Sequence, residues 1–208
     1  MKLGFLGDSI TEGYGASSLE LNYVSLVGQM LDCEVINCGI GGTRIARQKA
    51  NSYFHRHDID FNLRTPLLNQ SLDKLFVFGG TNDYGHGDAT WGNKGDTDCY
   101  TFHGALYTLF SSLLEKFGKE KVVIMLPLKR AFMNTFANPV TGKYLVDYVN
   151  TIKEYADEFG FNYIDLFNDC FPEPDEGQSE FFIDGLHPND KGYKIIAEKI
   201  CNFIKNDK

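Results

Sequence analysis

The sequence has no excess of positive charge and no long apolar run. Its 20 Lys and Arg residues are outnumbered by 28 Asp and Glu residues, which gives a formal net charge of -8. Phosphate binding needs clustered basic side chains, so nucleic acid is not expected as a partner, and a small neutral or cationic substrate fits better. No apolar run approaches the ~20 residues that a membrane-spanning helix needs. We therefore expect no membrane span.

The sequence also lacks paired cysteines and a secretory signal. Its five cysteines are scattered, with no CxxC pair, so neither a disulfide framework nor a zinc ribbon is indicated. Only a short apolar stretch separates Met1-Lys2 from Gly7-Asp8, and no small-residue cleavage site follows it. We expect reduced thiols and a cytoplasmic location.

What the sequence does contain is an alternation of short β-type runs with longer stretches of helical periodicity. This alternation predicts a parallel sheet covered by helices. The predicted strands span residues 2–6, 34–37, 74–78, 121–126 and 161–164. The predicted helices span residues 19–30, 102–117, 144–159 and 193–204. The expectation is therefore a three-layer α/β/α fold with a five-stranded parallel sheet, formed by residues 1–208 as one domain, with the site at the carboxyl ends of the strands.

Four long connections interrupt this alternation, at residues 43–66, 84–100, 128–138 and 165–183. Each begins just after a strand or its turn, on the side where open sheets bind ligands. The 84–100 connection contains aspartates among glycines, but it lacks the ligand spacing of a calcium loop, so we interpret it as a flexible lid. The segment His55-Arg56-His57-Asp58 is interpreted as a polar part of a long loop, because histidines at i and i+2 are poorly placed for one metal.

Two stretches at opposite ends of the chain suggest nucleophilic catalysis. Ser9 lies in GDSI, where the first predicted strand turns toward a helix, so its hydroxyl is either an exposed nucleophile or a helix cap. In DGLHP, Asp184 and His187 are spaced so that the carboxylate can accept a hydrogen bond from the imidazole, as a general base requires. The alternative is a turn that begins a helix and contains an incidental histidine.

Two further stretches contain the residue types that stabilise an oxyanion. NCGIGG, residues 37–42, follows the second predicted strand, and GTND, residues 80–83, follows the third. Glycine can present its backbone N–H without obstruction, and an asparagine side chain can supply another donor. Taken singly, each stretch is also a common turn.

Together the four blocks FLGDSIT, NCGIGG, GGTND and DGLHP resemble those of the SGNH-hydrolase superfamily, also called the GDSL esterase/lipase family. The resemblance extends from residue 5 to about residue 190 and implies a flavodoxin-like fold. It implies Ser9 as nucleophile, His187 as base and Asp184 as the acid that orients the base. It implies the N–H groups of Ser9 and Gly42 and the amide of Asn82 as oxyanion donors. Gly42 is chosen because its position relative to Asn37 matches the family's pattern.

Other residues are predicted to contact substrate. We include Asp8 beside the serine, Arg44 on a loop of the active face, and Tyr84 and Trp91 as an apolar or sugar-stacking wall. For Trp91 the alternative is that it only packs its own loop against the protein.

The sequence thus predicts a serine esterase that acts on a small-molecule ester through an acyl-enzyme and needs neither metal nor cofactor. Aromatic and polar loop residues outnumber any long apolar stripe, which favours a short acyl group, such as acetyl on a carbohydrate. The alternatives are a lysophospholipase or thioesterase with the same mechanism, or a non-catalytic flavodoxin-like binding module. The last leaves DGLHP unexplained, and NCGIGGTR lacks the GxGxxG spacing of dinucleotide sites.

Overall fold

A computed structural model describes residues 1–175, 177 and 179–206. Its centre is one five-stranded, all-parallel sheet with strand order β2-β1-β3-β4-β5. The strands are β1 Lys2–Gly7, β2 Glu34–Gly39, β3 Lys74–Phe78, β4 Val122–Met125 and β5 Asn162–Ile164. This is the flavodoxin-like order, so the predicted fold class is confirmed. Because β1 lies between β2 and β3, the chain reverses its direction across the sheet there, and the carboxyl ends of these three strands meet at one edge.

Helices cover both faces of the sheet. The helices are α1 Ser9–Glu12, α2 Tyr23–Leu31, α3 Phe61–Arg64, α4 Thr81–His86, α5 Phe102–Phe117, α6 Leu145–Phe159, α7 Leu166–Asp169 and α8 Asp190–Asn206. Side chains alternate along β1: Leu6 packs in the core beneath α5 and α6, whereas Leu3 and Phe5 pack beneath α2 and α8. Strands buried on both faces read as continuous apolar runs, which explains why they were visible in the sequence.

Two predicted helices start three or four residues away from the observed positions, and in both cases an asparagine cap lies at the observed start. The predicted helix 19–30 is a short 3₁₀ turn followed by α2, because Asn22 has an extended backbone and its side chain accepts from the Ser25 N–H at 2.9 Å. The last helix begins at Asp190 rather than Tyr193, since Asn189 accepts from the first free N–H groups. Polar caps set helix ends more strongly than the apolar pattern does.

The connection predicted as a flexible lid is packed against the protein. Its first residues form the end of α4, and Trp91 stacks on Phe102 with ring centroids 5.3 Å apart and meets Tyr148 edge-on at 4.9 Å. Residues 87–101 therefore rest on α5 and α6. The connection 165–183 contains residues 176 and 178, which lie outside the described residues.

All five cysteines have free thiols in the structure. Within residues 1–175, 177 and 179–206, no helix combines the length and the apolarity needed to cross a membrane.

Candidate active site

Ser9 is the first residue of α1, directly after β1. The turn between them is tight: a Cβ on Gly7 would overlap the side chain of Thr11, so only glycine lets the helix fold back onto the strand end. The Asp8 carboxylate accepts from the Ile10 N–H at 3.0 Å and caps this short helix. As a result, the Ser9 side chain is held above the carboxyl edge of the sheet.

The Ser9 hydroxyl forms a hydrogen bond with His187, which lies 178 residues further along the chain. Ser9 Oγ is 3.0 Å from His187 Nε2, and His187 Nδ1 is 2.7 Å from Asp184 Oδ2. Tyr14 packs edge-on against the imidazole, with ring centroids 4.5 Å apart. The histidine ring is thus bound at both nitrogens and supported from one side.

Asp184 is held in place by its own loop. Its Oδ1 atom accepts from the backbone N–H groups of Leu186 at 3.0 Å and His187 at 2.7 Å. Burial opposes the charge on this carboxyl group, but the hydrogen bonds from the His187 N–H and ring and from the Leu186 N–H together hold the pKa of Asp184 below its ordinary value. The carboxylate is therefore ionised at neutral pH and can accept from the imidazole.

The three residues predicted to supply oxyanion donors line the same cavity as His187. This cavity measures about 320 Å³, and its lining includes Ser9, Gly42, Asn82 and His187. Within the described part of the chain, no acceptor is hydrogen-bonded to the backbone N–H groups of Ser9 and Gly42. The Asn82 side chain donates to the Thr43 carbonyl at 3.0 Å. The edges of β1, β2 and β3 therefore bring three N–H donors to one space.

The conformation of Gly42 explains why a glycine stands there. Its φ of +74° lies in the left-handed region, and an added Cβ would approach the His57 ring to 2.8 Å. Neighbouring Gly41 donates its N–H to Glu12 Oε2 at 2.7 Å, which ties the glycine turn to the helix that begins with Ser9. In the part of the chain that the structure describes, the Gly42 N–H has no hydrogen-bond acceptor, and Gly42 lines the cavity.

The four residues predicted to contact substrate lie outside the lining of this cavity. Asp8 is only 2% exposed and is used as a cap; burial raises its pKa to about 7, against the hydrogen bond from Ile10 and the charge of Arg64. Tyr84 donates to the Phe136 carbonyl at 2.6 Å and faces a different cleft.

Arg44 and Trp91 likewise have structural partners. Arg44 is 7% exposed and its guanidinium binds His86. Trp91 packs its own loop against α5 and α6, the alternative left open for it. Both residues belong to loops on the side of the sheet where the site was expected. Their side chains nevertheless pack against other parts of the protein, and the direction of a side chain cannot be read from its position in the sequence.

Seven residues of the cavity lining were not predicted as site residues: Glu12, Tyr14, Gly41, Arg56, His57, His86 and Leu186. Arg56 and His57 belong to a 3₁₀ helix over His55–Asp58, which was interpreted as a polar loop, and Arg56 forms an ion pair with Glu12. The position of His86 could have been predicted from the sequence, because residues four positions apart lie on the same face of a helix and His86 follows Asn82 by four residues. His57 reaches the site only through the long loop after β2, for which the sequence contains no comparable signal.

Buried Asp83 connects that long loop to α4. Its carboxylate accepts from the N–H groups of Ile45 at 3.0 Å and Ala46 at 2.8 Å. Burial raises the pKa of Asp83 to about 6, although these two hydrogen bonds and the charge of Arg44 act in the opposite direction. The contact keeps the loop after β2 beside Asn82.

A serine hydroxyl hydrogen-bonded to a histidine, itself hydrogen-bonded to a carboxylate, is the arrangement of serine hydrolases. A protein-family model described as the GDSL-like lipase/acylhydrolase family matches residues 5–195, and the chain belongs to this family. It is a carboxylic ester hydrolase. The comparison with curated proteins gives no significant match.

Solved structures share the fold over nearly the whole chain. A protein from Lactobacillus plantarum is 26% identical, with a TM-score of 0.80, and the match covers 99% of this chain and 96% of that one. Est24, a carbohydrate acetylesterase from Sinorhizobium meliloti, is 16% identical with a TM-score of 0.71, covering 99% and 98%. The acetyl xylan esterase AlAXEase is 23% identical with a TM-score of 0.68, covering 98% and 100%.

Proposed function

We propose that the protein hydrolyses its ester through an acyl-enzyme formed on Ser9. The observation that carries the proposal is the chain of hydrogen bonds from Ser9 Oγ to His187 at 3.0 Å and from His187 to Asp184 at 2.7 Å. Ser9 Oγ attacks the ester carbonyl while its proton passes to His187 Nε2. Asp184 keeps the other ring nitrogen protonated and stabilises the imidazolium that forms.

The negative charge of the tetrahedral intermediate falls on the former carbonyl oxygen. The free N–H groups of Ser9 and Gly42 and the amide of Asn82 border the cavity in which this oxygen would lie. When the intermediate collapses, the C–O bond to the alcohol breaks and His187 returns its proton to the departing oxygen. Water then attacks the acyl-enzyme by the same route, releasing the acid and regenerating Ser9.

We further propose a short acyl group, such as acetyl, on a carbohydrate. Glu12, Arg56 and His57 give part of the cavity wall a polar character suited to hydroxyl groups. Phe54, which is 57% exposed, packs against His57, and Tyr53, which is 92% exposed, packs against Phe54. Exposed rings next to a polar cavity suit the apolar face of a sugar. The names of two structural neighbours, a carbohydrate acetylesterase and an acetyl xylan esterase, agree with this substrate class.

The mechanism is tested by replacing Ser9 with alanine. Ser9→Ala should remove essentially all ester hydrolysis while leaving the circular dichroism spectrum unchanged. A fluorophosphonate probe should add one adduct to the wild type, located on Ser9 by peptide mass spectrometry. Ser71→Ala, a change of an exposed serine in a surface turn, should leave both results as in the wild type. Full activity in Ser9→Ala, or an adduct elsewhere, would disprove the assignment.

The substrate class is tested separately with a panel of esters. Activity should be high on p-nitrophenyl acetate and acetylated oligosaccharides and should fall steeply by the octanoate. Equal or better activity on the octanoate or a lysophospholipid would reject the short-acyl proposal, and a preference for acyl-thioesters would indicate a thioesterase instead. A cytoplasmic location, a small-molecule substrate without nucleic acid, and the organisation of the whole chain as one domain stay predictions.

A further inference from the structure

The helix that contains Asn82 also contains a histidine with two hydrogen-bond partners. Asn82 and His86 lie one turn apart on α4, and His86 Nε2 is 3.0 Å from Asn82 Oδ1. The other ring nitrogen, Nδ1, is hydrogen-bonded to the guanidinium of Arg44. His86 also lines the cavity described above. The three side chains therefore form a continuous chain of hydrogen bonds that ends at the site.

The donor and acceptor roles in this chain follow from the arginine. A guanidinium only donates hydrogen bonds, so His86 Nδ1 must accept and carries no proton. The proton of the neutral ring is then on Nε2, which donates to Asn82. Loss of hydration and the positive charges of Arg44 and Arg130 lower the pKa of His86 to about 4, which agrees with a neutral ring.

The tautomer of His86 in turn decides which way the Asn82 amide points. Because Nε2–H is a donor, the Asn82 atom facing it must be the oxygen, and the amide nitrogen lies on the opposite side. There one N–H donates to the Thr43 carbonyl at 3.0 Å, which leaves the second N–H for the cavity. A flipped amide would place its N–H₂ against the His86 N–H and its oxygen against the Thr43 carbonyl. Both contacts would be repulsive.

We propose that His86, held in its Nε2–H form by Arg44, is a positioning residue that orients the Asn82 amide as an oxyanion donor. It acts through Asn82 and not on the substrate. The expected effect of His86 on the rate rests on the proposed function. The tautomer of His86 and the orientation of the Asn82 amide do not depend on the proposed function. It also explains why Arg44, predicted to contact substrate, is turned inward.

Two substitutions of His86 distinguish the contributions of its two ring nitrogens. In His86→Gln the side-chain amide nitrogen reaches about the position of Nε2 and can still donate to Asn82. In His86→Asn the shorter amide lies near the position of Nδ1 and cannot reach Asn82. We expect His86→Asn to lower kcat about 10- to 100-fold with little change in KM. This loss is smaller than the ~10²–10³-fold loss of kcat caused by removing an oxyanion donor, because the Asn82 amide is still present but no longer oriented. His86→Gln should retain most of the wild-type kcat.

Coupling to Asn82 distinguishes positioning from a general loss of structure. In an Asn82→Ala background, His86→Asn should cause no further loss of kcat, because the group that it orients is gone. His103→Asn is a matched control, since His103 is a buried histidine hydrogen-bonded to Tyr155 at 3.1 Å and does not line the cavity. It should change stability but leave kcat and KM as in the wild type.

The tautomer itself is measured by ring nitrogen NMR of the wild type at neutral pH. We expect a neutral His86 ring with its proton on Nε2. A proton on Nδ1, an imidazolium ring, equal losses in His86→Gln and His86→Asn, or additive losses with Asn82→Ala would each overturn the proposal. If the wild type hydrolyses no ester, the proposed function fails, yet the NMR measurement still decides the tautomer. The same measurement decides it if His86→Asn does not fold.

Discussion

Replacing Gly42 with alanine tests the proposed oxyanion hole most directly. At φ of +74° an alanine has an unfavourable left-handed backbone, and its Cβ would lie 2.8 Å from the His57 ring. Either the backbone rotates or the ring moves. Rotation of the backbone changes the direction of the Gly42 N–H, and movement of the His57 ring changes the cavity wall beside it.

The expected cost in stability can be estimated from the backbone alone. A non-glycine residue in the left-handed region costs ~1–2 kcal/mol, partly offset by ~0.4–1 kcal/mol because alanine restricts the unfolded chain. Displacing His57 adds to this cost. We therefore expect Gly42→Ala to lower the free energy of unfolding by about 1–2 kcal/mol and to lower kcat by up to ~10²–10³, the effect of losing one oxyanion donor.

Gly142→Ala is the matched control for this experiment. Gly142 has a similar φ of +68°, but an added Cβ would meet nothing within 4 Å, and the residue is exposed. It should show the backbone cost without the loss of activity. Both variants are compared by urea unfolding and by initial rates on p-nitrophenyl acetate. Wild-type kcat in Gly42→Ala, or an equal loss of kcat in Gly142→Ala, would refute the role of the Gly42 N–H.

Two further predictions concern the carboxylates near Ser9. Asp184→Asn should lower kcat ~10²–10⁴-fold and His187→Ala ~10⁴–10⁶-fold, because a misoriented base is still a base; the opposite order in the initial rates would contradict the assigned roles. The pKa of Asp8 is about 7 in the folded protein, against 3.8 ordinarily. The folded state therefore holds the Asp8 proton more tightly than the unfolded state does. This stabilisation is fully present below about pH 4 and is lost as the pH rises through about 7. From pH 5 to pH 8 this group should lower the free energy of unfolding by about 2–3 kcal/mol, and urea titrations of Asp8→Asn should lack that part of the decrease; an unchanged pH dependence would show that Asp8 is ionised throughout.

Much of the fold could be predicted because the sheet is buried on both faces. The runs LFVF before Gly79 and VVIM before Leu126 are apolar at every position, as central parallel strands are. The ends of α5 and α6 were also predictable, since Thr101 caps the first and Gly118 and Gly160 end the two helices with positive φ. The expectation for residues 19–30 was wrong in detail because the apolar pattern continues across the Asn22 cap.

The site was predictable where residue type and position after a strand coincide. Ser9, Gly42 and Asn82 each follow a strand of the same sheet, and parallel strands bring their carboxyl ends to one edge. Arg44 and Tyr84 also follow strands but do not line this cavity, because Arg44 is buried against His86 and Tyr84 lines a different cleft. Position along the chain does not report the direction of a side chain in an irregular loop.

By itself the sequence determined where the strands and most of the helices lie, which family blocks occur, and which residue types are available for acyl transfer. These are local properties, set by apolar patterns, glycine turns and caps that act over a few residues. Only the tertiary structure decided that Ser9 and His187, 178 residues apart, are 3.0 Å from each other. It also decided that His57 borders the cavity and that Arg44 lies behind His86 and Asn82, because packing between distant segments fixes these contacts.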